Sequence, residues 1–295
     1  MPEQADRQII TTDGRALAVR DLGEPGAPAV IFHHGFMACR LTGRPAPGAR
    51  VITIDRPGIG ASAARPGRTL LDWPDDVAVT ADRLGLDRFA VLGHSAGGPY
   101  AAACAVKLAD RVSRLGIACG FAPFDRPGAT EGMSPRMARA VPALRRLPWL
   151  TRVLTRPLPG QYRRDPARAF GRQFGRDLPD CDRAALSDPD VLSPLLAAAT
   201  EATQQGAAPL ADEMRILFAR PWGFTPDEIT TPTHLWYGDQ DTLTPLAAGR
   251  HLEQRIPAAR LTVFPGEGHL AAFTHWDEIV AALTRSLPAW AGTGR

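Results

Sequence analysis

No apolar run in this 295-residue chain approaches the roughly 20 residues that a membrane-crossing helix needs. The opening residues, Met1-Pro2-Glu3-Gln4-Ala5-Asp6-Arg7, lack the apolar core of a signal peptide, so the expectation is a cytoplasmic protein with no transmembrane segment. Cysteine is scarce as well. The four present, Cys39, Cys104, Cys119 and Cys181, show no metal-ligand spacing, which argues against zinc or another metal and for buried thiols in a reducing compartment. Lysine is almost missing, with Lys107 alone against a background of arginine. The chain has no internal repeat, no low-complexity tail and no nucleic-acid reader motif, so specific nucleic-acid recognition is not expected, nor is any cofactor.

What is present is an ordinary globular composition, 44% hydrophobic and 22% charged, at a length that suits one large α/β domain or one domain with a sizeable insertion. Gln8 to Thr12 and Arg15 to Asp21, split by Asp13-Gly14, predict a hairpin. Ala29-Val30-Ile31-Phe32, Val51-Ile52-Thr53-Ile54 and Phe89-Ala90-Val91-Leu92 are short continuous apolar runs, as in strands buried on both faces. Helices are predicted over 72–86 and 96–109, a strand at 115–119, then a helix at 210–220, strands at 233–237 and 261–264, and helices at 245–256 and 274–287. This alternation predicts an α/β fold with a mostly parallel, doubly wound sheet. Residues 123–206 break the rhythm, with several proline-punctuated helix candidates and no convincing strand. Met133, Met137, Val141 and Leu144 would share one helical face, which Pro142 should kink or end. An all-helical insertion after a strand's carboxyl end would lie over the site as a lid, giving a core of 1–122 and 207–295 and a lid of 123–206.

Gly93-His94-Ser95-Ala96-Gly97 joins the third of those apolar strands to a helix. A serine hydroxyl is a poor nucleophile and must be held clear of the backbone, beside a base and near donors that stabilise an oxyanion. A tight strand–turn–helix with glycines on both sides can do this. The base must come from elsewhere. His269, in Gly266-Glu267-Gly268-His269, follows the last strand and could reach back to Ser95, whereas His234 lies in a strand, His251 and His275 on helices, and His94 is tied beside the serine. For the acid that orients the base, Gly238-Asp239-Gln240-Asp241 follows the preceding strand; Asp239 could cap the turn, and Asp241, further into the loop, is the better placed.

In this order, His34-Gly35-Phe36, Asp55-Arg56-Pro57-Gly58-Ile59-Gly60-Ala61-Ser62, Gly93-His94-Ser95-Ala96-Gly97, Gly238-Asp239-Gln240-Asp241 and Gly266-Glu267-Gly268-His269 resemble the α/β-hydrolase superfamily over nearly the whole chain. The resemblance implies Ser95 as nucleophile, Asp241 and His269 as its partners, and the backbone N–H groups of Phe36 and Ala96 as oxyanion donors. Met37 stands where many relatives carry a proline. Candidates for lining the substrate pocket are His34, Met37, His94, Met133, Met137, Trp149, Phe170, Phe174 and Leu270.

The implied activity is cleavage of a carboxylic ester or lactone of a small to medium, apolar substrate through an acyl-enzyme. The same triad also serves thioesterases, carbon–carbon bond hydrolases and some non-hydrolytic lyases or cyclases, and a ligand-binding protein could retain it. The net charge of +3 hides one uneven stretch. Arg126 to Arg176 holds twelve arginines against Glu131 and Asp165. This basic segment reads either as a solvated face or as an attractor for an anionic substrate, an acidic carrier protein or a membrane surface.

Overall fold

A computed structural model describes residues 5–175 and 177–285. Arg176 and the expected end of the last helix at Leu287 lie outside the described residues. The strands are β1 (Ala5–Ile10), β2 (Ala16–Leu22), β3 (Ala29–His33), β4 (Arg50–Ile54), β5 (Phe89–His94), β6 (Val112–Ala118), β7 (Thr233–Gly238) and β8 (Ala259–Phe264). They form one sheet in the order β1-β2-β4-β3-β5-β6-β7-β8. β2 runs antiparallel to both its neighbours, and every pair from β4 to β8 is parallel.

The apolar runs form strands because both of their faces are covered. In β3, Ile31 packs into one core while Val30 and Phe32 pack into the other; in β5, Phe89 and Val91 alternate in the same way with Ala90 and Leu92. One face is covered by α1 (Trp73–Arg83), α2 (Gly97–Lys107) and α10 (Leu246–Arg255), which contribute Val77, Tyr100 and Leu252. The other is covered by α11 (Ala271–Thr274) and α12 (Trp276–Thr284), which contribute Trp276, Ile279 and Leu283.

Between β6 and β7 the described residues hold helices and no strand: α3 (Pro135–Arg146), α4 (Leu150–Thr155), α5 (Leu158–Arg164), α6 (Pro166–Gln173), α7 (Asp180–Ala185), α8 (Pro189–Ala202) and α9 (Ala207–Met214). Ser134, Asp165 and Asp188 accept backbone N–H bonds at the starts of α3, α6 and α8, each just before a proline. α3 runs on through Pro142, which costs it one ladder donor, and Met133 precedes the helix instead of sharing its face. A third apolar cluster joins Met37, Cys39 and Ile59 of the sheet's loops to Tyr162, Ala169 and Ala198 of these helices. No helix among the described residues is long and apolar enough to cross a membrane.

Candidate active site

Ser95 follows β5 with φ at 55°, in the left-handed region where a side chain is strained. Three contacts hold it there. Its N–H donates to the Ala118 carbonyl at 3.1 Å, and its own carbonyl accepts from Gly98 and Phe121. A Cβ at Gly97 would lie 1.9 Å from the His33 carbonyl oxygen, so the turn closes onto β3 only with glycine at that position.

His269 lies in the loop after β8, with its Nδ1 2.8 Å from Asp241 Oδ2. Asp241 is fully enclosed. Its Oδ1 accepts the backbone N–H groups of Leu243 and Thr244 at 2.8 and 2.9 Å, and Thr244 Oγ1 stands 2.7 Å from Oδ2. Asp239, the alternative acid, is exposed and instead accepts the Gly266 N–H at 2.8 Å. Burial on its own would push the His269 imidazolium down, but the charge and hydrogen bond of Asp241, aided by nearby Asp182, outweigh it and leave His269 above the ordinary histidine value. Burial likewise tends to raise Asp241, and His269 and Thr244 outweigh it, so its carboxylate sits below the usual range. Among the described residues neither His269 Nε2 nor Ser95 Oγ has a hydrogen-bond partner, and both residues border the same cavity.

The other histidines are occupied differently. Burial pushes His94 down to about 3, so its ring is neutral, packed 4.9 Å from His269 and 4.8 Å from Phe273. His234 bonds Thr262, and His275 sits between Glu267 and Glu278.

The loop after β3 brings Gly35 against the serine: a methyl on Gly35 would lie 3.5 Å from Ser95 Cβ. Buried Arg56 donates to the carbonyls of His34 and Gly35 at 2.7 and 2.9 Å. In a trans peptide the N–H points opposite the carbonyl, so fixing the Gly35 oxygen toward Arg56 turns the Phe36 N–H away from it. Neither the Phe36 nor the Ala96 backbone N–H meets an acceptor among the described residues. Arg56 is itself held by Glu213 at 2.6 Å, and Glu213 also bonds Arg68 and accepts from Tyr100. Asp55 braces the same loop, accepting from the Arg40 side chain at 2.9 Å and the Ala61 N–H at 3.0 Å. Met37 has φ at 57°, which the fixed ring of a proline cannot adopt, so this loop takes a different path from one with proline at that position.

The cavity over these groups has a volume of about 480 Å³ and mostly apolar walls. Of the candidates from the sequence, Met37, His94, Met137, Phe170, Phe174 and Leu270 lie on its wall, as does Phe36, with the Phe170 and Phe174 rings tilted against each other at 5.0 Å between centroids. Three expected lining residues lie elsewhere. His34 is completely buried behind the loop, beside Arg56; Met133 is packed in the main core; Trp149 stands 59% exposed on the outer surface. Sequence reasoning also missed one contribution that the helices make to the loop of His269. Asp182 of α7 is buried, and its carboxylate accepts the backbone N–H groups of His269 and Leu270 at 2.8 and 2.9 Å. It approaches so closely that a Cβ on Gly268 would fall 2.4 Å from it. No local motif marks Asp182 or Glu213, and the motif that contains Arg56 does not point to its partner.

Cys119 Sγ, an Asp241 oxygen and a His269 nitrogen lie within 4.8 Å of one another. The Asp241 and His269 atoms bond each other and burial pushes the Cys119 thiol well up, so the donor set suits a hydrogen-bonded site and not a metal centre.

The model of the alpha/beta hydrolase fold family matches residues 28–275. The chain is 29% identical over 235 residues to a pimeloyl-[acyl-carrier protein] methyl ester esterase of Aromatoleum aromaticum, covering 78% of this chain and 84% of that protein. It is 28% identical over 283 residues to the protein of the same name from Chromobacterium violaceum, covering 92% and 98%. Among solved structures, the enol-lactonase of Burkholderia xenovorans LB400 superposes with a TM-score of 0.68 at 19% identity, over 94% of this chain and 99% of that one, a likeness of fold. With a family match that spans most of its length and a sheet order that agrees with it, this chain is a hydrolase enzyme belonging to the alpha/beta hydrolase fold family.

Proposed function

We propose that the protein is a serine hydrolase that cleaves a carboxylic ester or lactone of a small to medium, apolar substrate through an acyl-enzyme. One observation carries the reading: the buried Asp241–His269 pair, with Nε2 unpartnered, faces the same apolar cavity as Ser95, which is held in a strained left-handed turn. Ser95 Oγ attacks the carbonyl carbon while His269 Nε2 takes its proton. Asp241 keeps the proton on Nδ1 and stabilises the imidazolium, and the Phe36 and Ala96 N–H groups bind the oxyanion. Collapse expels the alcohol, which takes its proton from His269. Water, deprotonated by the same ring, then releases the acid and restores Ser95.

In this reading residues 123–206 are a lid on a core of 1–122 and 207–295. Met137, Phe170 and Phe174 on the lid then select the acyl group. The free thiols, three of them buried, fit a reducing cytoplasmic setting. A second reading is an ester with an anionic far end, or one delivered on an acidic carrier protein. It is favoured by Arg172, which lines the cavity and has no ion pair among the described residues, and by the carrier-bound ester in the names of two relatives.

The test is a fluorophosphonate probe on the wild type and on Ser95→Ala, followed by a panel of neutral esters, lactones, thioesters and carboxylate-terminated esters at two salt concentrations. Labelling lost in Ser95→Ala, together with turnover of neutral esters, is the expected result. Labelling of Ser95 without turnover of any panel member would point to a non-hydrolytic or ligand-binding role. Salt-sensitive turnover confined to the anionic esters would favour the second reading.

A further inference from the structure

One corner of the helical segment is unlike the rest of the surface. Six large apolar side chains stand most exposed among the described residues, and four of them fall within eight positions: Leu147 at 46%, Trp149 at 59%, Val153 at 55% and Leu154 at 48%. They occupy the turn between α3 and α4 and the outer side of α4. Thr151 and Thr155 are buried where α4 packs against α9, so the helical period turns Arg152, Val153 and Arg156 toward solvent.

The charge around this apolar cluster is of one sign. From Glu131 to Asp165 there are eight arginines and no acid between the two. Of the eight, Arg136 alone has an acidic partner among the described residues, Asp177. Arg146, Arg152 and Arg156, all exposed, flank the four apolar side chains and have no acidic partner among the described residues. The patch is also continuous with the cavity, because Leu154 belongs to both, and Pro157 and Leu158 extend the cavity wall beside it.

We propose that this corner docks on a lipid bilayer that carries anionic head groups. Exposed tryptophan and aliphatic side chains gain by entering the boundary between head groups and acyl chains, while arginine stems lie along that boundary with their guanidinium groups among the phosphates. An acidic protein face would match the arginines but would set carboxylates against Trp149 and Val153. A bilayer answers both halves of the patch. Docking is peripheral and reversible, since four side chains enter the interface and no described helix is long and apolar enough to cross it. It would place the cavity wall at Leu154 next to the membrane, where an apolar ester is concentrated.

The experiment is co-sedimentation of the whole protein with vesicles of phosphatidylcholine alone and of phosphatidylcholine with phosphatidylglycerol, at low and high salt. The expected result is binding to the anionic vesicles that weakens with salt and little binding to the neutral ones. Arg146→Glu with Arg152→Glu should lower that binding by about fivefold or more for each arginine. Trp149→Ser with Val153→Ser should lower it about tenfold. None of these four residues lines the cavity, so turnover of a short water-soluble ester should stay at the wild-type rate, and unchanged thermal melting shows that the variants fold. Absence of binding to anionic vesicles, or binding untouched by both double variants, overturns the proposal. So does capture of an acidic carrier protein through the same residues with no vesicle binding. Sedimentation needs no turnover, so its outcome is separate from that of the hydrolase reading.

Discussion

The cavity has two sides that are built differently. On the sheet side each group is fixed by buried, directional bonds: Asp241 by two backbone N–H groups and His269, the Gly35–Phe36 peptide by Arg56, Ser95 by its bond to Ala118. On the helical side the walls are half-buried apolar side chains such as Met137, Phe170 and Phe174, which pack but form no such bonds. Hydrogen-bond geometry tolerates errors of a few tenths of an ångström, whereas apolar packing accepts exchange of one side chain for another of similar volume. The difference separates two tasks: the sheet side is suited to hold a reaction geometry, and the helical side is free to vary with the substrate. Asp182 is the exception. It comes from the helical side and yet makes two directional bonds to the loop of His269.

Substitutions can break this contrast, beginning with the sheet side. Ser95→Ala should reduce kcat on the order of 10⁶-fold with little change in substrate binding, read by steady-state kinetics and by loss of fluorophosphonate labelling. Asp241→Asn should cost on the order of 10⁴-fold in kcat, because the amide can no longer hold Nδ1 protonated. If either substitution acted mainly on KM, the sheet side would be serving binding and the contrast would fail.

Glu213→Ala tests whether the sheet side is fixed as rigidly as its bonds suggest. Arg56 and Glu213 are both about 1% exposed, and removal of the acid strands Arg56 and Arg68 as buried, unpaired charges. Breaking such a network costs roughly 3 to 5 kcal/mol of stability, which urea unfolding would report. A loss below about 1 kcal/mol would mean that the clamp on Gly35 and Phe36 is dispensable to the fold.

Asp182→Asn asks whether the helical side reaches into the chemistry. An amide can accept one of the two N–H bonds well but not both, for a loss of roughly 1 to 3 kcal/mol. It also removes a negative charge near His269. That charge favours the imidazolium, so removing it lowers the His269 pKa, and the acid limb of the kcat/KM profile should move to lower pH. A reduced stability with an unmoved limb would make Asp182 a structural anchor only.

How much of this was legible in the sequence follows from the range of each interaction. The strands β3, β4 and β5 and the turn at Ser95 are readable because apolar runs and glycine spacing are local signals. The sequence favours Asp241 over Asp239 only by its place further into the loop, since both follow β7; the contacts that separate them, with Leu243, Thr244 and His269, are made by the side chain that turns inward. Arg56 and Glu213 lie 157 residues apart, and Asp182 and His269 lie 87 apart, distances at which no spacing rule operates. Hydrophobicity also misled in both directions. Met133 went to the core and Trp149 to solvent, because residue type gives the preference for burial and not the place.

The smallest effect belongs to the helical wall, and it sharpens the contrast most. Phe170→Ala removes one ring from the tilted Phe170–Phe174 pair, and both rings line the cavity, so the substitution enlarges the space available to substrate without touching Ser95, Asp241 or His269. An apolar pocket discriminates one methylene by about 1 to 3 kcal/mol. The variant should therefore shift preference toward longer esters by about tenfold in relative kcat/KM, while the rate of fluorophosphonate labelling at Ser95 stays within about threefold of the wild type. Measured across a series of p-nitrophenyl esters, a shift in chain-length preference at constant labelling rate would show that the two sides vary independently. A parallel fall for every chain length, with labelling reduced to match, would show instead that Phe170 supports the reaction geometry, and the two sides would then have to be treated as one unit.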